Sequence, residues 1–172
     1  MINKDTKRIA ILGVIIAFAA ILSYIEAIIS LGMFIPGVKL GLANIAVVIC
    51  FYLYGYKEAL MVNVVRIIIV GLLFGNMFSI SFSISGALVS YIVMVLLKKT
   101  DIFSPIGISV AGGVAHNVGQ ILIASLIIES YSVIFYLPIL MIAGIVCGLI
   151  IGFISILVIK YMKFFNRKRE II

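Results

Sequence analysis

Apolar runs of membrane-spanning length follow one another along the chain, separated by short polar breaks. Six can be marked: 9–30, 39–56, 58–74, 80–97, 106–128 and 137–161. Each is continuously apolar rather than alternating, which predicts helices and argues against the strands of a membrane barrel. Chain breakers fall between them at Pro36-Gly37, Gly55, Gly75-Asn76, Pro105 and Pro138. The second and third runs are short and are expected to tilt little or to start deep in the bilayer. One stretch has the period of a strand: Ser79, Ser81, Ser83 and Ser85 alternate with Ile80, Phe82 and Ile84. An open strand edge is costly in lipid. A helix whose hydroxyls bond its own carbonyls is therefore the favoured reading, with an extended lead-in to the fourth helix as the alternative.

Composition sharpens this picture. Of 172 residues, 65% are hydrophobic and 11% charged, far from the balance of a soluble domain. Mean hydropathy is +1.39. Six spans leave only short loops and two tails, so the expectation is one all-α membrane domain over residues 1–172 and no separate soluble domain. Lys4–Arg8 followed by Ile9–Ile16 and Ala17-Phe18-Ala19 imitates a secretory leader, but the apolar run continues to Ile29 and reads as the first helix.

The net charge of +7 would suggest nucleic acid in a soluble protein. Here it is better explained by topology. With the N-terminus inside, eleven of the 13 Lys and Arg residues fall on the inner side; only Lys39 lies outside and Arg66 within a span. Six helices with both termini in the cytoplasm follow, in a multi-pass protein of the cell membrane. Tyr54, Tyr56 and Tyr161 at the inner edge, and Tyr131 and Tyr136 at the outer, read as interfacial anchors. The basic tail Arg167–Arg169 reads as an inner-leaflet anchor.

Polar groups inside apolar spans are where function is sought, because each is costly in hydrocarbon without a partner or a cavity. Glu26, Lys39, Arg66 and His116 stand out, with Asn44, Asn63, Asn76, Asn117 and Gln120 beside them. Asn63 lies three residues before Arg66, and Gln120 four after His116, so each pair shares a helix face; Gly112 extends the latter face inward. Most of these groups fall between the midplane and the outer surface. Two readings stand. Glu26 and Arg66 form an interhelical ion pair and the amides join helices. Alternatively, they line a cavity open to the outside, whose three cationic or basic groups against one carboxylate favour an anionic ligand. Pro36-Gly37 reads as a turn at the outer surface, with Lys39 at the cavity mouth or simply snorkelling.

Small residues recur every fourth position: Ala19, Ser23 and Ala27; Ala111, Ala115 and Gly119; Gly144, Gly148 and Gly152. Such stripes pack helices within a chain or dock another membrane subunit. Cys50 and Cys147 read as buried hydrophobes, and a single His offers no metal site. No cofactor is expected. There is no Walker loop for ATP. Asp5 and Asp101 are the only aspartates, both outside the core, so no Asp-rich motif can hold Mg²⁺ and a diphosphate leaving group. Catalysis by this chain alone is not expected.

Several blocks resemble one family. They are Ser23-Tyr24-Ile25-Glu26; Pro36-Gly37-Val38-Lys39-Leu40-Gly41-Leu42-Ala43-Asn44; Arg66; Phe74-Gly75; Ser83-Ile84-Ser85-Gly86; Ser109 through Gln120, with His116-Asn117; and Tyr136-Leu137-Pro138 leading to Gly144 and Gly148. The family is the one labelled Gx transporter or heptaprenyl diphosphate synthase component I, and the resemblance runs from Ile9 to about Leu157. Its members look similar to the substrate-binding S-components of energy-coupling-factor (ECF) transporters. That resemblance implies a six-helix bundle with Lys39, Arg66, His116, Asn117 and Gln120 as cavity residues. It also implies a docking face on the first helix at Ala19, Ser23 and Ala27, and a coupling subunit with ATPases as partners. The synthase label implies instead a non-catalytic membrane partner of a soluble prenyl diphosphate synthase, or a place in a quinone or flavin redox pathway. Autonomous ion-coupled transport is a weaker third reading.

Overall fold

The computed structural model describes residues 3–29 and 41–169. Every regular element among them is helical. In order these are α1 (Lys4–Ile29), α2 (Leu42–Leu53), α3 (Tyr56–Phe74), α4 (Met77–Lys99), α5 (Pro105–Ile128), a 3₁₀ segment (Tyr131–Tyr136) and α6 (Leu137–Arg169). Among the described residues four helical stretches are long and apolar enough to cross a membrane: Asp5–Glu26, Met77–Lys99, Pro105–Ile128 and Tyr131–Met162. This is a membrane protein.

The remaining two helices differ from that pattern for identifiable reasons. α2 has 12 residues, about 18 Å of helix, against the 18 expected from the apolar run over 39–56. It begins after Gly41, whose φ of 72° is left-handed, and ends before Gly55, whose φ of 112° also lies outside the range favoured by L-residues. α2 is apolar because it is central, not because lipid surrounds it. Ala43, Ile45, Ala46, Val48, Ile49, Cys50 and Phe51 are all buried. They form the middle of a core completed by Leu12, Val62, Met94, Ile108 and Ile151. α3 is 19 residues long but includes Lys57, Glu58 and Arg66.

The serine-rich start of α4 is helical. Asn76 caps it, its side chain accepting the Ser79 N–H at 2.8 Å, and the Ser81 hydroxyl donates back to the Met77 carbonyl at 2.9 Å. Ser85 instead donates across to the Gly119 carbonyl on α5, also at 2.8 Å. Ser104 caps α5 in the same way as Asn76, with Pro105 in its first turn.

The glycine stripe of α6 packs inside the chain. A Cβ on Gly148 would lie 2.6 Å from the Val110 Cα, and one on Gly152 2.9 Å from the Ile106 Cα. α5 and α6 therefore meet backbone to backbone, which only small residues permit. The small stripe of α1 is also interior: Ala19 is fully buried and Ser23 is 9% exposed. Of the docking face expected at Ala19, Ser23 and Ala27, the first two are thus covered by this chain's own helices. The side chain of Ala27 lies outside the described residues. The opposite face of α1, with Ile9, Val14, Ile21 and Ile28, is exposed and apolar.

Two contacts fix how the helix ends are grouped. Arg8 of α1 pairs with Glu58 of α3, and Lys98 of α4 donates to the Phe51 carbonyl of α2. These define a basic end of the bundle. At the far end Tyr24 and Phe74 stack with centroids 4.7 Å apart. There the 3₁₀ segment leaves Tyr131 and Phe135 exposed, at 87% and 85%.

Candidate functional site

The site is built around Arg66. Its position on α3 is three residues after Asn63, so both side chains share one helix face. Arg66 Nη2 donates to Asn63 Oδ1 and, across to α2, to Asn44 Oδ1 at 3.1 Å. Nη1 reaches the Ser23 hydroxyl of α1 at 3.3 Å. One guanidinium thus ties three helices together. All of its hydrogen-bond acceptors are neutral oxygens, and Nε is buried with no partner among the described residues. Glu26, the anticipated ion-pair partner, lines the same cavity as Arg66, and its carboxylate acts on the guanidinium electrostatically.

Glu26 has another contact. Its carboxylate accepts the Gly41 N–H at 2.5 Å, immediately ahead of α2. An anion at that point faces the positive end of the α2 dipole. This explains why Gly41 is glycine: the left-handed turn presents the N–H to the carboxylate, and a Cβ there would sit 3.1 Å from Ile151. Asn44 follows one turn later, its own N–H bonded to the Gly41 carbonyl at 2.8 Å.

α5 closes the other side. His116 and Gln120 lie one turn apart on a face turned toward α4 and the bundle interior. Gly86 of α4 allows this, since a Cβ on it would come within 2.9 Å of the imidazole. Asn117 turns toward α6 and donates to the Leu140 carbonyl at 2.5 Å.

These groups surround one central cavity of about 70 Å³, room for several waters or a small ligand group. Glu26, Asn44, Arg66, His116, Asn117 and Gln120 all line it, drawn from α1, α2, α3 and α5. A second void of about 40 Å³ continues it toward the basic end, sharing Asn44, His116, Gly113 and Ile151. Of the residues singled out in the sequence, Lys39 lies outside the described residues. The positive surplus anticipated there is consequently absent from the described lining, which holds one guanidinium and one carboxylate. Sequence reasoning passed over Ser83 and the α6 wall of Gly144, Cys147 and Ile151. The spacing of the last three places them on one helix face, but three unremarkable residues within a uniformly apolar helix give no chemical signal. Among the described residues no group of three or more His, Cys, Asp or Glu could hold a metal ion.

Comparison with known proteins gives one relation. The family model described as heptaprenyl diphosphate synthase component I matches residues 15–158, most of the chain. The chain belongs to this family. The matched region spans the whole cavity, from Glu26 on α1 to Ile151 on α6. No curated protein and no solved structure matches the chain.

Proposed function

We propose that this protein is a membrane subunit that binds a small polar molecule with an acidic group in the cavity around Arg66. One observation supports this above the rest. Among the described residues Arg66 is hydrogen-bonded to neutral oxygens beside a cavity, its Nε–H has no partner, and the carboxylate in that lining, Glu26, also accepts the Gly41 N–H. A buried cation held this way retains capacity for an acidic partner. His116, Asn117, Gln120 and Asn44 supply further donors and acceptors. The chain crosses the membrane six times, with the basic end in the cytoplasm and the cavity nearer the outside. In this reading it works like an S-component of ECF transporters, with transport energised by separate ATPase subunits and no catalysis of its own.

The test is thermal unfolding of the purified full-length protein in detergent, titrated with inorganic phosphate and a panel of small mono- and dicarboxylates. At 100 times Kd a ligand that binds only the folded state stabilises it by about 2.7 kcal/mol. A rise in Tm with at least one probe, absent in Arg66→Met and reduced in His116→Ala, is expected. Equal shifts in both variants and the wild type would overturn the reading.

The family description favours a second reading, a non-catalytic membrane partner of a soluble heptaprenyl diphosphate synthase. It predicts that a mild-detergent pull-down recovers such an enzyme, and that removing Lys160–Ile172 releases it. Recovery of a membrane coupling subunit with ATPases instead selects the first reading.

A further inference from the structure

The central cavity has a neighbour at the far end of the bundle. Beside it lies a much larger hollow of about 630 Å³, within the range of ligand pockets. Its walls are Phe78 and Phe82 of α4, Ile121, Ala124 and Ile128 of α5, and Val133 of the 3₁₀ segment. Its rim is polar, with Asn76, Ser79, Ser132 and Tyr136. Three elements place adjoining residues in the two spaces. Gln120 lines both. Phe82 faces the hollow while its neighbour Ser83 faces the cavity. On α6, Leu140 lines the hollow and Gly144, one turn on, the cavity; the Leu140 carbonyl is also the acceptor for Asn117. A small polar chamber with a guanidinium thus shares Gln120 with a roomy apolar one.

We propose that the ligand is an amphiphile. Its acidic head occupies the cavity at Arg66, and its apolar chain lies in the hollow between α4, α5 and the 3₁₀ segment. This rests on the reading of the Arg66 cavity as a ligand site and adds the class of ligand. A wholly polar molecule would fill the 70 Å³ chamber and leave the larger apolar one unused. Phe78 and Tyr136, which line the hollow, are 59% and 51% exposed, so in a bilayer such a molecule could enter laterally past them.

The experiment measures affinity of the purified full-length protein for n-alkyl phosphates and n-alkyl carboxylates from two to ten carbons, with inorganic phosphate as the head alone. Each methylene moved from water into an apolar site is worth about fourfold at most. Detergent competes for the chain, so a gain of about tenfold or more from two to ten carbons is the expected result. Ala124→Trp and Val133→Trp fill the hollow from different elements and are expected to cut that gain to about threefold or less; either suffices if the other fails to fold. Leu126→Trp, on the exposed face of α5, keeps it and controls for partition into detergent. Binding of the two-carbon probe with no gain along the series, or a gain that survives both filling variants, overturns the amphiphile and leaves the Arg66 site standing. Binding of no probe in either series overturns both.

Discussion

Two cations sit among the helices, and the structure treats them in opposite ways. Lys98 at the basic end is half-buried against aromatic rings. Its ammonium donates to the Phe51 carbonyl at 3.1 Å and lies 4.5, 4.4 and 4.9 Å from the ring centroids of Phe51, Tyr52 and Tyr56. Three aromatic faces and a helix C-terminal carbonyl replace part of the water around it, and α2 is held to α4 as a result. Arg66 is held by neutral oxygens at the edge of a cavity that it shares with the Glu26 carboxylate. The same physical problem, a charge away from water, is solved by packing in one place and left partly open in the other. A cation packed against rings reads as structure; one held at the edge of a cavity reads as a site.

This contrast can be broken by mutation. The largest expected effect is on binding. Arg66→Met should abolish recognition of an acidic probe, a loss of about a hundredfold or more, since losing one partner of a buried charged contact costs about 2–5 kcal/mol. Its Tm should also fall, by the equivalent of about 1–3 kcal/mol, because the oxygens of Ser23, Asn44 and Asn63 lose their donor. Titration calorimetry and thermal unfolding on the same sample check both halves. A large drop in Tm with binding intact would make Arg66 a strut like Lys98.

Lys98→Met should spare binding. Loss of the cation–π contacts and the hydrogen bond should lower stability by about 1–3 kcal/mol, read as a lower denaturation midpoint, with probe affinity unchanged. Asn76→Ala removes the cap of α4 and should lower stability by about 1 kcal/mol, while disturbing the rim of the apolar hollow more than the Arg66 cavity. The smallest effect belongs to the Arg8–Glu58 pair. Arg8 is 53% exposed, so Arg8→Ala should cost no more than about 1 kcal/mol, and less as salt is raised.

Much of this was legible in the chain. The helices α1, α4, α5 and α6 follow from apolar runs bounded by Asn76, Ser104-Pro105 and the basic residues at their ends. The polar residues within the runs marked the cavity, because a group that is costly in hydrocarbon has to meet a partner or a void. Asn63 with Arg66, and His116 with Gln120, could be paired from helical periodicity alone. The family resemblance drawn from the Lys39–Asn44 and His116–Gln120 blocks agrees with the family to which the chain belongs.

Three matters needed the third dimension. Hydropathy cannot tell a helix surrounded by lipid from one surrounded by protein, since both are apolar all round. The run over 39–56 was accordingly expected as a short span, tilting little or starting deep in the bilayer, where the structure has a 12-residue central helix. A stripe of small residues has no label for its partner; Ala19 and Ser23 face this chain, and only the packing shows it. Nor does charge type specify every partner. Glu26 and Arg66 looked like mutual partners; the carboxylate also takes the Gly41 N–H, and the guanidinium takes Ser23, Asn44 and Asn63. Periodicity along one helix is a local property that the sequence determines by itself. Which faces meet, and what space they leave between them, depends on how six helices fill a common volume, and that is decided only when they are packed together.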